Sequence, residues 1–314
     1  MDTETVNPKT LLEAVRYFSD PDVCHEYMIR VRWTNRRPHC PKCESENIGE
    51  IKSRRMFQCK NKDCRKQFST KVGTIFEDSA LGLDKWFVAI WCIANAKNGI
   101  SSCELARSIG ITQKSAWHML HRIRLAMKTK SFRKISGEIE SDETFIGGKA
   151  RNMHKSKKGW MGGGIAGKAV VHGLLERGGE LRCTVTPDAK AKTLKTLVRT
   201  NVEPQSALYT DECASYRGLG AEYVHATVNH IVEYVRGSVH TNGLENFWSL
   251  LKRSLSGTYV AVEPQHLQRY VDEQVFRFSK RKGNDATRFL ETMLSISGKR
   301  LTFAELTGKD EAAS

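Results

Sequence analysis

The chain has 314 residues, more than one average domain and enough for two or three folded units. Hydrophobic residues make up 39% and charged residues 27%, which excludes a disordered or fibrous chain, and 50 Lys and Arg against 35 Asp and Glu leave a formal charge of +15. Such a surplus attracts polyanions through phosphate contacts, so nucleic acid is the leading partner, with a ribosomal or membrane-surface protein as the alternative.

No stretch approaches the roughly 20 apolar residues that span a bilayer, and the first residues lack the basic-then-apolar layout of a secretory leader. The expectation is a cytoplasmic protein with no membrane partner. Nine cysteines, an odd number with four in close pairs, favour metal binding in a reducing compartment over disulfides.

Residues 9–33 carry apolar positions at helical spacing broken by Asp20-Pro21, which predicts two short helices within an N-terminal segment, 1–35. Residues 36–72 are rich in Cys, Lys and Arg and poor in aliphatics, as expected of a module held by metal rather than by a core. An apolar helix over 83–96 and two helices over 101–127, broken at Gly110-Ile111-Thr112, form a helical region, 80–128.

After a basic linker, 128–136, the pattern changes to strands: EIESDETFIGG, KAVVHGLLE, then ELRCTVT across a Gly178-Gly179 turn, a helical KAKTLKTLVRT, and SALYTDE. Helices follow over 242–255 and 264–278, completing a candidate catalytic domain, 136–285, with 286–314 left as a tail. The fold class is α+β and multidomain, with a mixed sheet flanked by helices.

Cys40 and Cys43, fifteen residues, then Cys59 and Cys64 give C-x2-C followed by C-x4-C, the spacing of a four-thiolate zinc ribbon. Phe57 and Phe68 supply a small hydrophobic floor, and His39 is a spare donor. Helix, glycine-containing turn and basic second helix over 101–127 fit a helix-turn-helix in which Arg122 and Arg124 contact DNA; an ordinary helical hairpin is the alternative.

Three acids stand out in the strand-rich region. Asp142 lies in a strand, Asp211 ends a strand 69 residues later, and Glu245 sits on a helix 34 residues further on. Phosphoryl transfer uses two divalent cations held by carboxylates, and acids at two strand ends and one helix are able to converge on such a pair. Lys252, two helical turns after Glu245, would meet phosphate, with Arg253 beside it. Glu143 and Glu212 adjoin the proposed ligands but alternate to the other strand face. Phe247 and Trp248 are core residues or base-stacking ones, His240 is a loop residue or a DNA contact, and Thr241 is a candidate helix cap. The basic, glycine-rich segment 149–168 reads as a DNA-contacting loop and lacks the phosphate-loop spacing.

The blocks SDETFIGGK, GLLERGG, YTDECASY, HTNGLENFWSLLKRSLSGTY and HLQRYVDEQVFR resemble the signature of bacterial insertion-sequence DDE transposases that carry an N-terminal zinc ribbon. The resemblance runs from about Cys40 to Arg281 and implies a ribonuclease-H-like core. It further implies that Asp142, Asp211 and Glu245 bind magnesium or manganese, that Lys252 touches phosphate, and that ribbon and helices read transposon-end DNA. Asn242 and Asn246 are alternatives for the third ligand, and Ser279 stands where the family usually has Asn. The expected reaction is metal-assisted cleavage at the element end followed by strand transfer, in a homo-oligomer on DNA. A zinc-ribbon transcription regulator and a nuclease of the same fold are the competing readings.

Overall fold

A computed structural model describes residues 8–33, 35–128, 131–147, 167–211, 214–228 and 239–308. They form two compact units: unit 1 is 1–128 with 280–314, and unit 2 is 129–279. No helix among the described residues is long and apolar enough to cross a membrane.

Unit 1 opens with helices α1 (Leu11–Tyr17) and α2 (Pro21–Arg32), separated by Asp20, whose side chain caps α2 through Asp22 N at 2.8 Å. The cysteine-rich module is a three-stranded antiparallel sheet of β1 (Ile48–Ile51), β2 (Met56–Cys59) and β3 (Gln67–Ser69). Helices α3 (Leu83–Asn95), α4 (Ser102–Ile109) and α5 (Gln113–Met127) follow, and α4 stops at Gly110 in the left-handed region, as the sequence predicts.

The core of unit 1 is aromatic. Phe18, Tyr27, Phe87, Trp91 and Phe289 pack edge-on or tilted at centroid separations of 4.7–6.3 Å. Phe289 lies in the expected tail, which is therefore corrected: 285–308 is an integral part of unit 1. It contains helices that sequence periodicity missed, Asp285–Leu294 and Phe303–Thr307. Backbone bonds Ile75 N to Ile296 O (3.2 Å) and Gly298 N to Gly73 O (2.9 Å) stitch it in place.

Unit 2 is built on a five-stranded sheet of β4 (Glu138–Ile146), β5 (Ala169–Glu176), β6 (Leu181–Thr186), β7 (Ala207–Asp211) and β8 (Val224–Val228), in the order β6-β5-β4-β7-β8. β5 pairs antiparallel with both β4 and β6, while β7 pairs parallel with β4 and β8 parallel with β7. Helix α6 (Ala191–Asn201) makes the crossover and buries Leu194 and Val198 with Ile139, Leu174 and Leu208 on one face. Helices α7 (Asn242–Ser254) and α8 (Leu267–Ser279) close the other face over Val171, Leu175 and Leu181.

The inserted role of the C-terminal segment carries a consequence for stability. Phe289→Ala is expected to destabilise unit 1 by about 3–5 kcal/mol, because four aromatic neighbours lose their partner and a cavity remains. Urea denaturation of the variant against wild type measures it; a loss below about 1 kcal/mol would return the segment to the status of a tail.

Candidate metal centres and nucleic-acid interface

The ribbon cysteines come together as their spacing predicts. Cys40, Cys43, Cys59 and Cys64 present sulfurs all within 4.8 Å of one another, with Cys40–Cys64 and Cys43–Cys59 at 3.6 Å. A tetrahedron of thiolates at about 2.3 Å from zinc has edges of roughly 3.8 Å, so the set fits a closed structural site. Tight turns shape both knuckles: Glu44 N bonds Cys40 O at 2.8 Å, and Arg65 N bonds Asn61 O at 3.1 Å. Burial opposes ionisation of Cys40, but donation from the Lys42 and Cys43 backbone N–H groups outweighs it and holds the thiol down at about 7. Trp33, Phe57 and Phe68 form the floor, and exposed His39 stays outside the cluster against Trp33.

The basic second helix of the expected helix-turn-helix does not present its arginines outward. Arg122 and Arg124 are 5% and 1% exposed, and Arg122 lies over Trp86, 5.2 Å from the ring centroid, while donating to Glu77 O. Both are corrected from DNA contacts to core residues of unit 1. Arg122 is covered by the residues between the ribbon and α3 and by α3 itself, and the returning C-terminal segment covers other positions of α5: His118 Nε2 meets Leu301 O at 3.1 Å, and Lys114 rests on Phe303 at 4.6 Å. On α5 the residues left exposed are Gln113 and Lys114, in its first turn.

In unit 2 the parallel register explains the spacing of the first two acids. Glu138 pairs with Ala207, Ile139 with Leu208 and Glu140 with Tyr209, an offset of 69 residues that is also the separation of Asp142 and Asp211. Carried on by two residues, that register sets Asp142, midway along β4, level with Asp211 at the carboxyl end of β7, on one face.

Helix α7 is fastened to that face by three contacts. Glu140, 1% exposed, accepts from Leu244 N at 3.0 Å and so caps the helix, while Thr241 makes no side-chain capping bond. Arg177 donates to Glu140 (Nε–Oε1 3.0 Å), to His240 Nδ1 (2.9 Å) and to His240 O (2.8 Å), which makes His240 a structural residue of the helix start. Trp248 donates from Nε1 to Asp142 Oδ2 at 2.8 Å. Trp248 is thus both buried core and a partner of the proposed ligand, a combination that the core-or-stacking choice in sequence did not include.

Two glycines permit this approach. A Cβ at Gly173, opposite Asp142 on β5, would stand 2.8 Å from the Trp248 ring, and one at Gly243 would stand 2.7 Å from Glu140 Oε2.

Glu245 follows Leu244 and is exposed, as are Asn242, Asn246, Lys252 and Arg253, whereas Leu244, Phe247 and Leu251 face the core. Burial raises the Asp142 carboxyl to about 6; the Trp248 bond opposes the rise, and the charges of Asp211 and Glu245 add to it. The three acids therefore share an electrostatic neighbourhood. Among the described residues the cysteines are the sole set of three or more acid, His or Cys donors within 4.8 Å of one another, so the carboxylates stand wider.

Glu143 turns to the opposite face as strand alternation requires, accepting from Tyr216 at 2.6 Å. Glu212 and nearly all of the glycine-rich loop, 148–166, lie outside the described residues.

Comparison with known proteins adds the family. Residues 134–279 match the ISXO2-like transposase domain, and residues 19–67 match the transposase zinc-ribbon domain. A protein in transposable element ISH50 of Halobacterium salinarum is 29% identical over 245 residues, 73% of this chain and 81% of that one. A transposase-like protein of Haemophilus influenzae is 32% identical over 96 residues, covering 30% of this chain and 77% of its own length. The chain belongs to the ISXO2-like transposases. The family's zinc-ribbon match starts at residue 19, so it takes in α2 as well as the cysteine module, and its transposase match coincides with the sheet and helices of unit 2.

Two measurements test these centres. The purified transposase should contain about one zinc per chain, and Cys40→Ser or Cys59→Ser should lose it, with on the order of 10 kcal/mol of metal-binding free energy no longer available to hold the ribbon; metal analysis and thermal unfolding decide, and full zinc retention in both variants would exclude the four-sulfur site. Asp142 lies above its ordinary value of 3.8, so its ionisation costs the folded state. In magnesium-free buffer at neutral pH, Asp142→Asn should therefore stabilise unit 2 by about 2 kcal/mol, a gap that opens as pH rises through the range between 3.8 and about 6 and closes in acid.

Proposed function

We propose that this transposase cuts DNA at the ends of its element and joins the freed 3′-hydroxyl to target DNA, using a DDE site composed of Asp142, Asp211 and Glu245 in a ribonuclease-H-like domain. The observation that carries the reading is the shared 69-residue offset of the β4–β7 register and the two aspartates, together with a helix fastened to β4 that brings Glu245 alongside. The sheet order, with three antiparallel strands followed by two parallel ones, supports the domain assignment.

Asp142, Asp211 and Glu245 would hold two magnesium or manganese ions. Bound there, the ions supply activation of the attacking oxygen and neutralisation of charge on the leaving oxygen. The protein's residues define where those ions sit: Trp248 orients Asp142, and Glu140 fixes the height of α7 and hence of Glu245. Lys252 and Arg253, exposed in the last turn of α7, offer cations to the DNA backbone beyond the carboxylates. No covalent protein–DNA intermediate is required, because water and then the DNA hydroxyl serve as nucleophiles. Joining two element ends requires more than one copy on the DNA, so the active form is expected to be a multimer.

The deciding experiment is magnesium- or manganese-dependent cleavage and strand transfer on DNA carrying the element's own ends. Wild type should give joined products, and Asp142→Ala, Asp211→Ala and Glu245→Ala should give none. Cutting without joining would make the protein a nuclease, and DNA binding with no products would make it a regulator. Lys252→Ala should weaken DNA binding and lower the slope of log affinity against log salt by about 1; an unchanged slope would remove Lys252 from the phosphate path.

A further inference from the structure

The face of the unit 2 sheet turned away from α7 carries a buried polar chain directly behind Asp142. Ser141 Oγ lies 3.0 Å from His172 Nε2 and 3.3 Å from the Tyr216 hydroxyl, which in turn donates to Glu143 Oε2 at 2.6 Å. Ser141, His172 and Tyr216 are all nearly inaccessible to solvent. One set of proton positions satisfies every bond: His172 Nε2–H donates to Ser141, Ser141 to Tyr216, and Tyr216 to Glu143. Burial pushes His172 down to about 4 and the Tyr216 phenol well above its ordinary range, so neither group changes charge across the neutral pH range.

Tyr216 occupies a particular place in this chain. Its hydroxyl touches the two residues that flank Asp142, and its backbone lies five residues beyond Asp211. A single phenol therefore connects the strand that carries one aspartate to the segment that leaves the other. Polar groups in so buried a position are costly unless each is satisfied, and ordinary packing would have been met by Phe.

Resting on the two-metal reading above, we infer that Tyr216 is a positioning residue for the cation site, holding Asp142 and Asp211 at a fixed separation from behind the sheet. Supporting groups of this kind typically change metal affinity by about 10–100-fold when removed. Tyr223 supplies the control: it is buried in the same apolar cluster and is not bonded to β4 in this chain of contacts.

The test is Mn²⁺ binding to the full-length zinc-loaded protein, read from the electron paramagnetic resonance signal of free Mn²⁺, alongside thermal unfolding. Tyr216→Phe should weaken binding by about 10-fold or more, and Tyr223→Phe should leave it unchanged whatever its effect on the melting temperature. Ser141→Ala, which removes the other end of the pin without altering the phenol, should weaken binding similarly, and the double variant should show less than the sum of the two effects. Wild-type affinity in a folded Tyr216→Phe overturns the inference while leaving the metal site standing, provided that Asp142→Asn abolishes binding. Mn²⁺ binding unaffected by Asp142→Asn overturns the metal-site reading itself, and this inference with it.

Discussion

The arrangement of unit 2 depends on one buried carboxylate. Glu140 is enclosed between β4 and the start of α7, where an ion without partners would cost several kcal/mol. It is compensated by the Arg177 guanidinium, by the Leu244 N–H and by the positive end of the helix, with His240 3.5 Å away. Because the carboxylate belongs to the strand and the N–H to the helix, the bond fixes the height of α7 against β4. Asp142 lies two residues along the strand and Glu245 one residue along the helix. The distance between sheet and helix acids is thus set by a direct bond between the elements that carry them, not by the loop that joins them, and Gly243 is the residue whose missing side chain lets the bond form.

Unit 1 solves its stability problem in two different ways side by side. The cysteine module has a small floor, Trp33, Phe57 and Phe68 with Ile29, Ile48 and Val72 against them, and relies on four sulfurs held at tetrahedral spacing. The helices instead share a cluster of interlocking rings to which Phe18 just after α1, α2, α3 and the 285–294 helix each contribute. Burying Arg122 and Arg124 within this unit consumes basic charge that the chain's overall surplus had suggested was available to DNA.

Much of this organisation was legible in the sequence, and the reasons are specific. Cys40, Cys43, Cys59 and Cys64 announce themselves because thiolate spacing is dictated by metal geometry, and β4 to β7 announce themselves by short apolar runs bounded by turns. Asp142, Asp211 and Glu245 were picked as a set by resemblance and separation; the meaning of the 69-residue gap required the register. Arg122 and Arg124 were misread because helical periodicity does not say which partner covers a polar stripe: Arg122 is met by Glu77 and Trp86, more than 30 positions earlier in the chain. Strand β8 is as long as β7 but interrupts its small apolar residues with His225 and Thr227 and so offers no apolar run, and the helices from residue 285 on have amphipathic patterns that look like any solvated tail until Phe289 is seen among the rings. Glu140, Arg177, Gly173 and Tyr216 drew no notice because each matters only through a neighbour distant in sequence.

Unit 2 is a continuous stretch of chain, whereas unit 1 is assembled from two pieces that lie before and after it. During synthesis the ribosome therefore delivers every residue of the sheet, α7 and α8 before it delivers Phe289 or the backbone that pairs with Gly73 and Ile75. Domains generally fold in the order in which they emerge. Here the interrupted unit comes first off the ribosome yet finishes last, and a nascent chain stopped anywhere within the sheet is left with a ring cluster still missing its final member.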